Sequence, residues 1–346
     1  MSDIRESGST QRQLAMVLDL NKCLGCQTCT VACKKLWNRD SGTGYAYWNH
    51  VETQPGRGYP ADWSEAGGRD ASGAVTRGRV PSLDAEYGRA WDFNHQQTFE
   101  SAGRPADEKV WIRPEGEPRW GANWDEDRGA GRYPQDNHYF YLPRLCNHCT
   151  HPACLEACPR GAIAKRREDG IVLVDQDACH GYRFCVEACP YKKIYFDPER
   201  NVATKCIFCL PRIEAGVPMA CARQCPGRLR FVGYLDDPEG PIWKLVEKWK
   251  VALPLHPEWG LAPNVFYVPP QSPPRLDARG RPTGEPRIPT ATLESLFGAA
   301  VVPALATVRR EREKRKRGER SELMDLLIAY DWKKNFALTP GAREVL

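Results

Sequence analysis

Fifteen cysteines are the residues whose type and spacing most directly predict chemistry in this 346-residue chain. They fall into four tight groups: Cys23, Cys26, Cys29 and Cys33 in group one; Cys146, Cys149, Cys154 and Cys158 in group two; Cys179, Cys185 and Cys189 in group three; and Cys206, Cys209, Cys221 and Cys225 in group four. An odd total argues against a closed disulfide framework, which is also typical of shorter chains. Clustered thiols in a chain of this length indicate metal binding instead.

The spacing within the groups is typical of iron–sulfur sites. Group one reads C-x2-C-x2-C-x3-C, the bacterial ferredoxin run, in which three closely spaced thiolates wrap one cluster and the fourth binds another cluster. Groups two and four are variants of this run, with one gap widened to four and to 11 residues, respectively. Both end in Cys–Pro, at Pro159 and Pro226, where proline suits a chain that turns out of a short helix.

Group three is the same run with one ligand missing. Its spacing, x5 and then x3 before a final Cys–Pro, puts Tyr182 where a regular run has a cysteine. A phenol is a poor substitute for a soft thiolate at an iron–sulfur cluster. The cysteines together therefore predict three 4Fe–4S clusters and one 3Fe–4S cluster. A 4Fe–4S cluster with water or Tyr182 as its fourth ligand remains an alternative.

Structural zinc is the other reading of paired CxxC sequences. Zinc sites take four ligands and have no preference for a Cys-x3-Cys–Pro ending, which recurs here in groups two, three and four. His148 and His151 lie among the cysteines of group two. Because every cysteine position in that group is filled, we interpret both histidines as hydrogen-bonding neighbours that tune the cluster.

No pattern in the sequence indicates substrate chemistry. The chain has no nucleophile–base constellation, phosphate-binding glycine loop or metal-hydrolase motif, which leaves one-electron transfer as the predicted function.

A net charge of +5 is too small for this length to predict nucleic-acid binding. No apolar run approaches the about 18 residues of a membrane span, so no direct membrane span is predicted. MSDIRESGST has neither a signal-peptide core nor a twin arginine, so we expect no export signal in this chain itself.

The residue patterns predict an α+β fold of repeated cysteine loops, short helices and strands. Residues 14–20 read as a strand, and residues 162–175 read as a hairpin that turns at Asp169–Gly170. Residues 36–138 are predicted to form an irregular, Trp-rich insertion. That stretch holds seven of the 11 tryptophans: Trp37, Trp48, Trp63, Trp91, Trp111, Trp120 and Trp124. Beyond residue 236 we expect a helical arm, including a helix from Leu293 that Pro303 interrupts or kinks.

The residues around the cysteines resemble the iron–sulfur β subunits of the DMSO-reductase family of molybdenum enzymes. The motifs are LNKCLGCQTCTVACK, LCNHCTHPACLEACPRGAI, CHGYRFCVEACPYKKIYF and KCIFCLPRIEAG with CARQCPGR, and the likeness extends over YWNHVETQPGRGYP, KWKVALPLHPEWG and SELMDLLIAY. The most similar group serves ethylbenzene dehydrogenase, dimethyl sulfide dehydrogenase, selenate reductase and (per)chlorate reductases. Respiratory nitrate reductases are expected to be more distant relatives.

This resemblance implies four cluster sites with crossed ligands. They are site A, with Cys23, Cys26, Cys29 and Cys225; site B, with Cys33, Cys206, Cys209 and Cys221; site C, with Cys146, Cys149, Cys154 and Cys189; and site D, with Cys158, Cys179 and Cys185. Sites A to C would each hold a 4Fe–4S cluster, and site D would hold the 3Fe–4S cluster with Tyr182 at the missing-ligand position. The fold would then be two nested ferredoxin-like two-cluster units, an outer one from residues 1–35 and 201–235 and an inner one from residues 139–200.

The resemblance also implies partners and a location. A large α subunit would carry the molybdenum cofactor and perform the substrate chemistry, and a γ subunit would carry haem b. This chain, which is not catalytic itself, would relay single electrons between them, and residues 36–138 and 236–346 would dock partners. A twin-arginine signal on the α subunit would export both chains to the periplasm. Two alternatives remain: a β subunit of a cytoplasm-facing complex like nitrate reductase, and a zinc-stabilised binding protein.

Overall fold

The computed structural model describes residues 12–39, 41–68, 70–88, 93–115 and 129–336. Its strands are β1 (Leu14–Asp19), β2 (Asn49–Gln54), β3 (Phe140–Leu145), β4 (Ile163–Lys165), β5 (Val172–Val174), β6 (Ile194–Asp197), β7 (Val202–Lys205), β8 (Arg230–Tyr234), β9 (Leu253–Pro254), β10 (Val265–Val268), β11 (Pro274–Leu276) and β12 (Pro282–Pro286). Its α-helices are α1 (Thr28–Trp37), α2 (His95–Glu100), α3 (Ala153–Glu156), α4 (Phe184–Ala188), α5 (Leu210–Glu214), α6 (Ala220–Arg223), α7 (Pro241–Trp243), α8 (Thr290–Phe297), α9 (Val301–Lys316) and α10 (Glu322–Ile328). The predicted α+β class is confirmed for these residues.

Strand β1 lies inside the four-stranded sheet, whose strand order is β8-β1-β10-β9. It pairs antiparallel with β8 and parallel with β10, and all six of its residues are buried. Successive side chains of a strand point to opposite faces. Leu14, Met16 and Leu18 therefore join the core around the cysteine loops, whereas Ala15 and Val17 pack against the C-terminal helices. The run is apolar at every one of these positions because both faces of the strand are covered.

Two short hairpins separate cysteine groups two, three and four. β4 pairs antiparallel with β5, and β6 pairs antiparallel with β7. In the first hairpin, Gly170 has a φ of +69°, and the Asp169 carboxylate accepts the main-chain N–H of Ile171 at 3.0 Å. Glycine enters this left-handed region at no steric cost. The predicted hairpin is therefore confirmed, but its turn is longer than the Asp–Gly pair, since the N–H of Arg166 donates to the carbonyl oxygen of Ile171 and residues 167–170 connect the strands.

The stretch 36–138, predicted to be irregular, contributes a fully buried strand to the core. β2 pairs antiparallel with β3 over six residues, and β3 leads directly into cysteine group two. Trp48 and Trp63 are buried, whereas Trp111 is exposed. Three further tryptophans of this stretch lie outside the described residues: Trp91, Trp120 and Trp124. The stretch is thus anchored to the core by β2 and is not irregular throughout.

Polar side chains of β2 lie in the core because they are paired there. Oε2 of Glu52 accepts from Nε2 of His50 at 2.9 Å, and Nε of Arg144 lies 3.0 Å from the same oxygen. Nζ of Lys193 donates to Nδ1 of His50 at 2.7 Å. Burial would raise the pKa of Glu52, but Arg144 and His50 outweigh it and lower that pKa to about 2. A buried carboxylate is tolerable only with such partners, so the polar sequence NHVETQ can form an interior strand.

The C-terminal arm differs from the sequence prediction at its helix break. We expected Pro303 to interrupt the helix that includes Leu293, but that helix, α8, already ends at Phe297, where Gly298 follows with a φ of +72°. Pro303 lies in the first turn of α9, where it is tolerated because the first N–H groups of a helix have no intrahelical acceptor.

Among the described residues, no single helix is long and apolar enough to span a membrane. α8 and α9 meet that test only as a pair, and the pair is bent by 114°.

Candidate metal centres

The four cysteine loops share one backbone feature. In each loop, the second residue after the first cysteine has a positive φ: Gly25 (+66°), His148 (+43°), Gly181 (+70°) and Phe208 (+51°). A left-handed residue turns consecutive main-chain N–H groups toward one side and so creates a concave, anion-binding loop. Each loop therefore has a backbone form that suits an anionic cluster.

The four cysteines predicted for site C line one cavity. Two of them lie in the loop after β3, Cys154 lies on α3, and Cys189 caps the C-terminal end of α4. Burial raises the pKa of Cys149 and of Cys154 well above the usual thiol value, and neighbouring cysteines raise both further. Thiols in such surroundings become anionic only beside a strong cation, as metal ligands do.

The four cysteines predicted for site B line a second cavity, and all of them are buried. Cys33 comes from α1, whereas the other three come from group four, around α5 and α6. Nε1 of Trp37 donates to Sγ of Cys209 at 3.1 Å. Groups one and four, far apart in the sequence, thus meet at one place.

Site A lies at the surface. Cys29 is buried, but Cys26 is exposed, and the side chain between the first two cysteines, Leu24, is 64% exposed. Burial raises the pKa of Cys23 to about 11, and the charges of Cys29 and Cys225 add to this rise. The last cysteine of group four therefore lies beside group one, as the predicted ligand set requires.

Site D also reaches the surface. Cys185 is buried, whereas Cys158 and Cys179 are half-buried. Burial raises the pKa of Cys185 to about 12, and the charges of Cys158 and Cys179 add to this rise. Tyr182 is 53% exposed, and its ring lies 6.1 Å from that of Phe184. The last cysteine of group two and the first two of group three are thus neighbours.

The four sites follow one another in a linear order. Burial is the main cause of the raised thiol pKa values, and for three of these thiols a cysteine of the adjacent site is close enough to raise the pKa further. These pairs are Cys29 acting on Cys33 between A and B, Cys146 acting on Cys206 between C and B, and Cys189 acting on Cys185 between C and D. The order of neighbours is therefore A–B–C–D.

Buried cations lie against these sites. Arg230 is 1% exposed, and its Nη1 is 3.8 Å from Sγ of Cys221. Burial disfavours its charge, but neighbouring thiolates of sites A and B raise the pKa of Arg230 above its ordinary value. Lys205 is buried near Cys206. Lys193 is buried there as well, but burial holds the pKa of Lys193 well below its ordinary value. Anionic clusters in a core need such compensation, because an unpaired buried charge is costly.

Sequence reasoning missed these cations, although part of the signal is present. Lys205 directly precedes the first cysteine of group four, and Lys193 follows Cys189 by four residues in the run CPYKK. Arg230 has no such signal. It lies in the otherwise apolar strand LRFVGYL, and the pairing of that strand with β1, where it opposes Leu18, is what buries it.

Several buried N–H donors at the cavities have no partner among the described residues. Nε1 of Trp48 and Nδ2 of Asn49 lie at site B, and Nε2 of His148 lies at site C. A buried donor without an acceptor costs about 1–3 kcal/mol. Sulfur atoms of a cluster are suitable acceptors, so the residues present fit this group. The second histidine of the site C loop, His151, is exposed.

In the described part of the chain, no three His, Cys, Asp or Glu side chains converge closely enough to hold a single metal ion. Sites B and C each distribute four cysteines around a cavity, an arrangement that suits a polynuclear cluster. The cysteine loops and small sheets together define an iron–sulfur protein of the ferredoxin-like class.

Comparison with known proteins agrees with this class. Residues 137–235, which include cysteine groups two to four, match the family model of a 4Fe-4S dicluster domain. The chain is 56% identical to the dimethylsulfide dehydrogenase subunit beta of Rhodovulum sulfidophilum, over 95% of this chain and 99% of the relative. It is 52% identical to the selenate reductase subunit beta of Thauera selenatis, over 95% and 100%. It is 54% identical to the respiratory nitrate reductase subunit beta of Haloferax mediterranei, over 94% and 93%.

The chain belongs to the iron–sulfur β subunits of the DMSO-reductase family of molybdenum enzymes. It is therefore an electron-transfer subunit with iron–sulfur clusters, is not itself catalytic, and works with a catalytic α subunit. The prediction that nitrate reductase subunits are more distant is confirmed for the Bacillus subtilis and Escherichia coli beta chains, at 35% and 36% identity over 75% of this chain. It is wrong for the Haloferax protein, which is as similar as the other two relatives. The assignment of individual cysteines to clusters stays a prediction.

The geometry of the first loop generates a test of site A. A Cβ added at Gly25 would lie 2.6 Å from the ring of Tyr141, and the residue has a φ of +66°. Gly216 has nearly the same φ, +69°, but open space around it. We expect Gly25→Ala to lose about four iron atoms per chain, whereas Gly216→Ala, which adds only backbone strain, retains them. Iron analysis of the purified complex measures both, and equal iron in the two variants would contradict the assignment of this loop to site A.

Proposed function

We propose that this chain is a linear relay with three 4Fe–4S clusters at sites A, B and C and one 3Fe–4S cluster at site D. The observation that carries the proposal is the neighbour order A–B–C–D of the predicted cysteine sets. Sites A and B combine groups one and four, and sites C and D combine groups two and three. This crossing supports two nested two-cluster units, the outer from residues 1–35 and 201–235 and the inner from residues 139–200.

The backbone supports Tyr182 as the residue at the missing-ligand position. The loops of sites A and D share two left-handed residues, Gly25 with Gln27 in one and Gly181 with Arg183 in the other. Gln27 and Arg183 also precede α1 and α4 in the same way, as the N-cap residues. Tyr182 therefore stands where Cys26 stands in the first loop, and site D retains three thiols.

The residues of the chain would hold the clusters in line and keep water away from site B. Iron–sulfur clusters, when bound, accept and release electrons one at a time. All four cysteines of site B are buried, and Arg230 and Lys205 supply positive charge beside them. Sites A and D reach the surface near Leu24 and Tyr182. Electrons would therefore enter and leave at these two ends.

The ends of the relay would face two partners, the molybdenum-containing α subunit and a γ subunit that carries haem b. Large apolar side chains exposed in the stretch 36–138 support a docking role for it, since exposed aromatic residues are typical of interaction surfaces. Phe99 and Trp111 are each 76% exposed, and Tyr133 is 85% exposed. We propose that this stretch and residues 236–346 dock the partners.

We further propose that the complex acts in the periplasm, exported by a twin-arginine signal on the α subunit. The periplasmic location is inferred from the resemblance to the group that serves dimethyl sulfide dehydrogenase and selenate reductase. The high identity to subunits with these two names supports that resemblance. The second candidate is a cytoplasm-facing complex like nitrate reductase, and the 54% identity to the Haloferax respiratory nitrate reductase subunit supports its likeness to nitrate reductase.

Iron stoichiometry tests the number of clusters. We expect about 15 iron atoms in this chain, from three four-iron clusters and one three-iron cluster. Anaerobic iron analysis of the purified complex, corrected for the iron of the other subunits, gives this number. A variant of the α subunit that lacks its own cluster ligands is the control for that correction. Stoichiometric zinc with little iron would contradict the whole proposal.

Substitution at Tyr182 tests the type of cluster at site D. The oxidised complex should show the paramagnetic signal of a 3Fe–4S cluster. Tyr182→Cys should replace that signal by a fourth 4Fe–4S cluster with a lower potential, because the added thiolate brings negative charge that opposes reduction. Tyr182→Phe is the matched control and should retain the 3Fe–4S signal. Spectra of Tyr182→Cys that equal those of the unchanged protein would mean that residue 182 does not face the cluster.

The export proposal is tested in cells that express the α subunit and this chain together. Replacement of the twin arginine of the α leader by two lysines should leave both subunits in the cytoplasm, because this chain would be exported only with its partner. An unrelated twin-arginine substrate in the same cells should still reach the periplasm. If the unaltered α subunit leaves this chain in the cytoplasm, the nitrate-reductase-like candidate is favoured instead.

A further inference from the structure

His148 occupies a special place between the two inner sites. It is the left-handed residue of the group-two loop, is 1% exposed and lines the cavity of site C. The main-chain N–H of Val172 donates to Nδ1 of His148 at 3.0 Å. Since Nδ1 accepts this bond, the ring proton must be on Nε2. The strand β5 thereby fixes the tautomer of the ring.

The Nε2–H group of His148 is a neutral donor without a partner among the described residues. Because Nδ1 is already the acceptor of the Val172 N–H, the ring is uncharged and carries its one N–H at Nε2. A buried donor of this kind normally has an acceptor in the native protein.

Phe208 holds the ring of His148 in place. The two rings are stacked, with centroids 4.0 Å apart and planes inclined by 30°. Phe208 is the left-handed residue of the group-four loop and lines the cavity of site B. The corresponding residues of the other two loops are Gly25 and Gly181, which have no side chain. The stacked pair thus joins the group-two and group-four loops, and it lies between the cavities of sites B and C.

We propose that Nε2–H of His148 donates a hydrogen bond to a sulfur atom of the cluster at site C and thereby raises the reduction potential of that cluster. This inference rests on the proposed function, which places a 4Fe–4S cluster there. A hydrogen bond to sulfur stabilises the more negative, reduced form more than the oxidised form. His148 is therefore a positioning and tuning residue and not a ligand.

The same argument separates His148 from His151, which the sequence does not distinguish. His151 is exposed, and its main-chain N–H donates to the carbonyl oxygen of Leu261 at 3.1 Å. An exposed imidazole donates to water, so it offers the cluster no bond that burial makes strong. Only one of the two histidines of this loop then acts on the cluster.

His148→Phe in the complete complex tests the proposal, with His151→Phe as the matched control. Phenylalanine retains an aromatic ring that can stack on Phe208. It should also tolerate the positive φ of residue 148, since Phe208 itself has a φ of +51°. We expect the one-electron reduction equilibrium of a single 4Fe–4S cluster to fall about tenfold, which lowers its potential by about 59 mV. EPR-monitored redox titration measures all four potentials. His151→Phe should leave every potential unchanged.

Two results separate failure of this inference from failure of the proposed function. A His148→Phe complex with full iron content and four unchanged potentials would overturn the inference but not the relay. A complex without iron–sulfur signals before any substitution would overturn the relay itself. If His148→Phe prevents assembly of site C, pulsed EPR of the unsubstituted complex labelled with 15N-histidine decides. A reduced 4Fe–4S signal coupled to histidine nitrogen and to an exchangeable proton supports the hydrogen bond, and the absence of such coupling contradicts it.

Discussion

A cluster held by cysteine thiolates brings negative charge into a core, where an uncompensated charge costs several kcal/mol. The chain meets this constraint with cations that are themselves buried, such as Arg230 beside sites A and B and Lys205 beside Cys206. It adds neutral N–H donors, including those of Trp48 and His148, at the inner cavities. His148 belongs to a cysteine loop itself, but Arg230, Lys205 and Trp48 lie on or beside the strands β8, β7 and β2, which is why the cysteine loops need the rest of the fold.

The pairing register of β1 with β8 in the central sheet determines where Arg230 and the first and last cysteines lie. β1 ends shortly before Cys23, and β8 begins shortly after Cys225. Antiparallel pairing of Leu18 with Arg230 therefore brings the first cysteine of group one to the last of group four. The same register places Arg230 beside the thiols of sites A and B. A slip of one residue would turn Arg230 to the opposite face and replace the compensating charge by an apolar side chain.

The cysteine loops and the Asp169–Gly170 hairpin were predictable because their chemistry acts over a few residues along the chain. Contacts between distant segments were not predictable in this way. The sequence NHVETQ does not alternate apolar and polar residues and so gives no strand signal. Partners from distant segments, among them Arg144 of β3 and Lys193 just before β6, allow it to form a buried strand. The break between α8 and α9 was also not predictable from the local sequence. Both glycine and proline can end a helix, and the sequence does not show that Gly298 ends α8 while Pro303 lies within α9.

The relatives point to where adaptation to a particular enzyme lies. A subunit of a dehydrogenase and a subunit of a reductase, named for opposite directions of electron flow, are 56% and 52% identical to this chain. Direction is therefore not set by the overall fold. Cysteine ligands fix the type and spacing of the clusters, and few substitutions there are tolerable. Hydrogen-bond donors and buried charges can change a potential while the ligands stay in place. In the proposed relay, His148, Trp48 and Arg230 would be positions at which the potentials can be adjusted to different catalytic partners.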